Sequence, residues 1–245
     1  MIRTMFNVYC LTINWFRYSG SSPSTSTSNS IQDLQIVKDE NVKPGQVVKT
    51  KEFWILWFTF VLNTQAVGYI NTMYKAFGQT FIDDDHFLAI VGAFAAIFNS
   101  SGRVFWGYMC DVFGYKMCMI LVTSSISFLY ATLYFTEFGS KALFAVWVWL
   151  IFFSFCGTFV LLPTASAVCF GTKYSSKNYG LIMTGSAAAA PIIAILTQGL
   201  SPVVGYLGMF IIISCFSAAS ALLTFFFPPN PEPAKILDKL NPANI

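Results

Sequence analysis

Residues 142–169 read ALFAVWVWLIFFSFCGTFVLLPTASAVC, and no side chain in that run carries a charge. As an α-helix the run is about 42 Å long at 1.5 Å per residue, enough to cross the ~30 Å hydrocarbon core of a bilayer. Five further apolar runs, at 53–78, 87–109, 116–136, 179–199 and 203–227, complete an expected set of six spanning helices. The intervening segments, 79–86, 110–115, 137–141, 170–178 and 199–202, are short. Short connections put successive helices side by side and antiparallel. The expected fold class is an all-α integral membrane protein, a six-transmembrane-helix bundle.

Composition agrees. Across 245 residues, 56 % are hydrophobic and 10 % charged, and Phe alone occurs 26 times. A soluble domain carries about 25 % charged residues, so most of this surface must face lipid. The formal net charge is +3, and no nucleic-acid partner is expected. The six cysteines (Cys10, Cys110, Cys118, Cys156, Cys169 and Cys215) stand singly in apolar segments. That spacing suggests neither a metal site nor a disulfide framework, and no cofactor is expected. His86 is the sole histidine. With no catalytic acid pair or Ser/His arrangement in the spans, an enzyme is not expected, and no filter-like segment suggests a channel.

Three regions follow. Residues 1–51 form an expected cytoplasmic, largely disordered segment and linker. Within it the apolar stretch 5–16, between Arg3 and Arg17, is shorter than the ~20 residues of a spanning helix and reads as interfacial or as the remnant of a preceding helix. The Ser/Thr-rich stretch 19–30 cannot bury enough apolar surface to order itself. Residues 52–228 hold the bundle, and 229–245 a polar, Pro-rich cytoplasmic tail. With the N-terminus inside, Lys38, Lys43, Lys49, Lys51, Lys116, Lys173, Lys177, Lys235 and Lys239 fall in the cytoplasm, and only Lys75 and Lys141 outside. Lysine bias of this sign sets orientation, so both termini are expected inside, with the plasma membrane as the expected location.

Inside the spans, Lys75 and Arg103 carry full charge. Lys75 is expected to reach toward the acidic run Asp83–Asp85. Arg103 lies about 24 Å into its helix, where burying an arginine costs on the order of 3 kcal/mol. A guanidinium meets both oxygens of a carboxylate at once, so Arg103 is the candidate site for an anion, the alternative being that it reaches the interface or caps carbonyls. Asn99, Arg103, Gly107 and Asp111 recur every four residues, along one stripe. Gly92, Ala96 and Ser100 keep small-xxx-small spacing for close packing, and Pro163 and Pro191 should bend their helices.

The junction Gly107-Tyr-Met-Cys-Asp111-Val-Phe-Gly114-Tyr-Lys116 resembles the signature loop of the major facilitator superfamily, G-x-x-x-D-x-x-G-x-[RK]. Val112 replaces the arginine usual after the acid, and Tyr115 the basic residue usual after the second glycine. Asn99-Ser-Ser-Gly-Arg103-Val-Phe-Trp-Gly107 is similar to helix 8 of the oxalate/formate antiporter-like and monocarboxylate transporter branch. Gly157-Thr-Phe-Val-Leu-Leu-Pro163-Thr resembles helix 10 of that group. Phe170-Gly-Thr-Lys173 with Asn178-Tyr-Gly180 resembles its loop into helix 11. The resemblance implies half of a major facilitator fold, helices 7–12, with a second half-transporter or a homodimer as partner.

It further implies transport of a small organic anion, such as formate, lactate, pyruvate or oxalate, by alternating access, with Arg103 on the substrate carboxylate. Asn71, Asn99, Thr184 and Ser186 are expected to donate further hydrogen bonds, and Gly107, Asp111, Gly114 and Lys116 to form the cytoplasmic gate. Proton-coupled monocarboxylate carriers have an acid where this chain has Asn99. The oxalate antiporter has a second cation near the place of Ser186. These departures favour a monocarboxylate, moved by exchange or facilitated diffusion. The alternative is a truncated, non-transporting membrane protein that acts as a scaffold or regulatory fragment.

Overall fold

The computed structural model describes residues 41–229 and 231–240, all of them helical or in connecting turns. The apolar stretch 5–16 and the Ser/Thr-rich stretch 19–30 lie outside the described residues. The elements are α1 (Pro44–Val47), α2 (Lys51–Gly78), α3 (Asp85–Leu133), a 3-10 turn (Tyr134–Phe138), α4 (Lys141–Phe170), α5 (Ser175–Ile195), a π turn (Leu196–Leu200), α6 (Ser201–Phe225) and α7 (Pro233–Lys239). Three starts are capped by the side-chain type that suits them. Thr50, Asp84 and Ser140 accept from the backbone N–H of Phe53 (3.2 Å), Phe87 (2.9 Å) and Leu143 (3.3 Å).

Four helical stretches are long and apolar enough to cross a membrane: Lys51–Gly78, Asp85–Phe138, Lys141–Phe170 and Ser175–Phe225. The expected runs 53–78 and 142–169 are α2 and α4 within two residues. The other four runs fall in pairs on the two longest stretches, of 54 and 51 residues, the last run passing Phe225 by two residues. At about 1.5 Å per residue each is over twice the bilayer core, and each is broken at a glycine. In α3 the break is Gly114, at φ 77 and ψ 164, a conformation that side chains of other residues hardly tolerate.

The two arms of α3 double back at that break. A Cβ on Gly157 of α4 would lie 2.7 Å from Val122 Cγ2 and 3.0 Å from Trp106 Cδ1. Trp106 and Val122 stand equally far from Gly114 along the chain, so both arms flank one stretch of α4. The expected loop at 110–115 is therefore compressed to one residue.

At the second break the structure places the turn later than the sequence suggests. Residues 199–202 are not a loop but remain helical, through the π turn into Ser201–Phe225, and the chain reverses at Gly205 (φ 68, ψ −176). Pro202 sits in the first turn of α6, where its missing N–H costs nothing. Gly205 has no Cβ to forbid the positive φ of that turn.

α2 is the centre of the bundle. Phe77 and Tyr69 pack edge-on to Phe210 of α6, with ring centres at 4.9 and 5.9 Å. Tyr130, on the second arm of α3, donates its hydroxyl to the carbonyl of Ala66. α5 docks on another face, where a Cβ on Gly68 would lie 3.1 Å from Ile193.

The bundle has two chemically distinct ends. At one, Lys75 pairs with Asp85 (2.9 Å), as expected, and Lys141 with Asp84 (3.3 Å). The Phe87 N–H first, and Lys141 second, hold the Asp84 carboxyl below its ordinary range. At the other end, the described part of the linker is strapped down. Val42 N–H donates to Phe170 O (2.9 Å), Asn178 Nδ2 to Val42 O (3.2 Å) and Lys173 N–H to Asn41 Oδ1 (3.0 Å). Val42 and Val47 are fully buried there, and Ile236 of α7 nearly so.

Gly114→Ala should cost about 1–3 kcal/mol through its positive φ. Gly45→Ala, in open space at ordinary φ, should leave stability unchanged. Thermal unfolding of the detergent-purified variants tests the contrast.

Candidate functional site

Arg103 owes its position to its neighbours. Gly102 faces α4 so closely that a Cβ there would lie 2.6 Å from Cys156 Sγ and 2.7 Å from the Phe153 carbonyl oxygen. One turn on, Trp106 donates its indole N–H to that same carbonyl, at 2.9 Å. With positions 102 and 106 turned inward, Arg103 is turned out, although Gly107 on the same stripe is buried. Arg103 is exposed on the bundle, and Asn99 half-buried one turn earlier.

Among the described residues the Arg103 guanidinium has no hydrogen-bond or ion-pair partner. Its neighbour Gly102 packs on Cys156 and Phe153, so Arg103 stands beside that stretch of α4. Among the described residues, ion pairs form elsewhere: Lys75–Asp85 and Lys141–Asp84 at one end, and Lys235–Glu232 in the tail.

The other residues singled out in the sequence are differently placed. Asn71 is exposed on α2 and gives one amide hydrogen to Val67 O, at 2.7 Å. Thr184 and Ser186 are exposed on α5, but their hydroxyl hydrogens go to Leu181 O (2.7 Å) and Met183 O (2.8 Å). A hydroxyl has one hydrogen, so in this conformation both can only accept. Free N–H donors remain on Arg103, Asn99 and Asn71.

Trp57 donates its indole N–H to Thr184 Oγ1 (3.1 Å), which places Thr184 beside the early part of α2. Asn71 lies fourteen residues further along, about 21 Å away along the axis. The five residues do not converge on one point: Arg103 and Asn99 form a pair, and Asn71 and Thr184 stand at different depths. Trp57 was missed by sequence reasoning, and Trp106 and Asn178 were singled out only as members of motifs. Only the structure reveals their partners: Thr184, the Phe153 carbonyl and the Val42 carbonyl.

At the Gly114 turn, Gly107 is buried and Asp111 exposed. Tyr115 is buried edge-on to Phe227 (5.0 Å), and Lys116 Nζ lies 5.2 Å over the Phe225 ring. Asp111 and Lys116 are not paired with each other. Among the described residues no group of three or more His, Cys, Asp or Glu could hold a metal.

The model of the Major Facilitator Superfamily matches residues 56–243. The chain is 28 % identical over 219 residues to the oxalate:formate antiporter of Oxalobacter formigenes, covering 84 % of this chain and 50 % of that protein. It is also 28 % identical over 189 residues to apicoplast pyruvate carrier 1 of Toxoplasma gondii, covering 75 % of this chain and 35 % of that protein. The chain thus spans half or less of the length of these curated relatives.

Gly102→Leu should overpack the α3–α4 contact, at a cost of about 1–3 kcal/mol or more, and reduce folded yield. Arg103→Gln, on the exposed side, should leave yield intact. Fluorescence-detected size exclusion of tagged variants distinguishes the two.

Proposed function

This chain belongs to the Major Facilitator Superfamily, and on that premise we propose that it forms the second half of a carrier for small organic monocarboxylates. It is a transporter-family protein, integral to the membrane and not an enzyme. The six-crossing reading counts α2, the two arms of α3, α4, and the two rods separated at Gly205. Both termini then lie on one side, taken as the cytoplasm from the lysine bias, and a companion half completes the central cavity.

The observation that carries this reading is the unpartnered Arg103 guanidinium on an exposed helix face. A cation at membrane depth without an internal counterion is poised for an external one. A carboxylate offers two oxygens to its planar fork, and this geometry, with the relatives' names, supports formate, lactate or pyruvate as the substrate class. Asn99 and Asn71 add N–H donors, while Thr184 and Ser186 accept or reorient on binding.

The step itself is electrostatic. Pairing with the anion neutralises Arg103, which lowers the cost of closing the cavity over it and lets the halves rock between outward and inward states. Asn99 supplies no proton, which favours exchange or facilitated diffusion. Gly107, Asp111, Gly114 and Lys116 form the proposed cytoplasmic gate, with Gly114 as its turn.

The test is uptake of labelled formate, lactate, pyruvate and oxalate into liposomes containing the purified chain, preloaded or empty. Saturable uptake, stimulated by preloaded anion, is expected. Arg103→Ala should abolish it, and Arg103→Lys, which keeps charge but not the fork, should lower it roughly tenfold, about 1.4 kcal/mol. Uptake unchanged in a folded Arg103→Ala variant overturns the assignment. No uptake from folded wild-type chain means that the chain needs its companion half or does not transport.

A further inference from the structure

A second polar cluster lies away from the Arg103 face, inside the bundle where α2, α4 and α6 cross. Thr59, Asn63, Thr158, Ser217 and Ser220 are each at most 1 % exposed. Asn63 Nδ2 donates to Thr158 Oγ1 (3.4 Å), and Ser220 Oγ donates to the Thr59 carbonyl (3.4 Å). Three oxygens nonetheless find no protein partner: Thr59 Oγ1, Asn63 Oδ1 and Ser217 Oγ.

Register brings those three together. α2 and α6 run antiparallel, since Thr59 meets Ser220 while Tyr69 and Phe77 meet Phe210 and Tyr206. From the Thr59–Ser220 contact, one turn along α2 reaches Asn63 and one turn back along α6 reaches Ser217. Both steps go the same way through the bundle. Along the bundle axis the three residues therefore lie within about one helical pitch of 5.4 Å, on the faces that α2 and α6 turn toward each other. An idle buried hydroxyl or carbonyl costs about 1–3 kcal/mol, and in lipid no solvent relieves it.

We propose that this crossing is a binding site for an internal water molecule held by Thr59, Asn63 and Ser217. The chemistry matches one water: it donates to the acceptor-only Asn63 Oδ1 and accepts from the Thr59 and Ser217 hydroxyls. Three bonds are typical of a buried water. A cation fits worse, because every ligand is neutral and its charge would be buried uncompensated. The water joins α2 to α6 beside the direct Asn63–Thr158 link to α4. The inference does not depend on the transport reading.

Thermal unfolding of the purified full chain tests it, using Thr59→Val, Ser217→Ala, their double variant, and Thr59→Ser. The lost oxygens have no protein partner, so their removal reports on an unseen one. Each single loss should lower Tm by about 4 °C, the double variant should lose less than the sum, and Thr59→Ser should stay near wild type. An unchanged or raised Tm in Thr59→Val, or an equal drop in Thr59→Ser, would overturn the site. Strictly additive losses overturn a shared water. A Tm that rises with sodium but not with choline overturns the assignment of a neutral ligand.

Discussion

The close approach of α3 to α4 is the contact on which the arrangement rests. Gly102 and Gly157 remove the side chains that would hold the two helices apart, and Trp106 fills the space beside Gly157 while donating to Phe153 O. Between apolar helices in lipid there is little hydrophobic gain, so association depends on packing at short range and on interhelical hydrogen bonds. This contact supplies both. It also fixes the rotation of α3 about its axis, and so determines which residues turn away from α4. Arg103 is exposed because Gly102 and Trp106 are not.

Charge is distributed to match. Ion pairs gather at the Asp84 end, where Lys75, Asp85, Lys141 and Asp84 meet beside solvent, and such exposed pairs contribute little to stability. Among the described residues, the helices between the two ends carry neutral polar groups and the Arg103 cation. In a low-dielectric surround the field of that cation is weakly screened, so it dominates the electrostatics of its face. A carboxylate at position 99 would have supplied an internal partner one turn away. Asn99 does not, which leaves the guanidinium available to an external anion on the reading proposed.

Much of the fold was legible because apolar runs report directly on what a bilayer tolerates. α2 and α4 begin and end within two residues of expectation, and the Lys75 pairing followed from its reach to Asp85. The later break was misplaced because Gly199 and Pro202 look like a turn, yet Pro is at home in a helix's first turn. Gly205 was inconspicuous among apolar neighbours. At the site, four-residue spacing aligned Asn99, Arg103, Gly107 and Asp111 but not their burial: Gly107 is buried while Arg103 and Asp111 are exposed. Periodicity could not reveal that Thr184 and Ser186 spend their hydrogens on their own helix, a local choice of rotamer. Nor could it pair Trp57 with Thr184, residues far apart in the chain.

The helices are unequally anchored, and that bears on how the bundle can move. α4 buries residues along nearly its whole length, whereas the buried residues of α5 are Asn178, Ile182, Gly185 and Ala189. Their spacing of four, three and four is a narrow seam on one side of a helix. Beyond the seam α5 contains Pro191 and runs into a π turn, both of which weaken the regular hydrogen-bond ladder. A helix held by a thin seam and softened at one end yields before a wall like α4 does. α5 also carries Thr184, tied to Trp57 of α2 by a single exposed hydrogen bond. Breaking that bond frees a lone pair on Thr184 and the indole N–H of Trp57 together. Motion of α5 would therefore change the polar lining of the Thr184 level while Arg103, fixed by α4, stays in place.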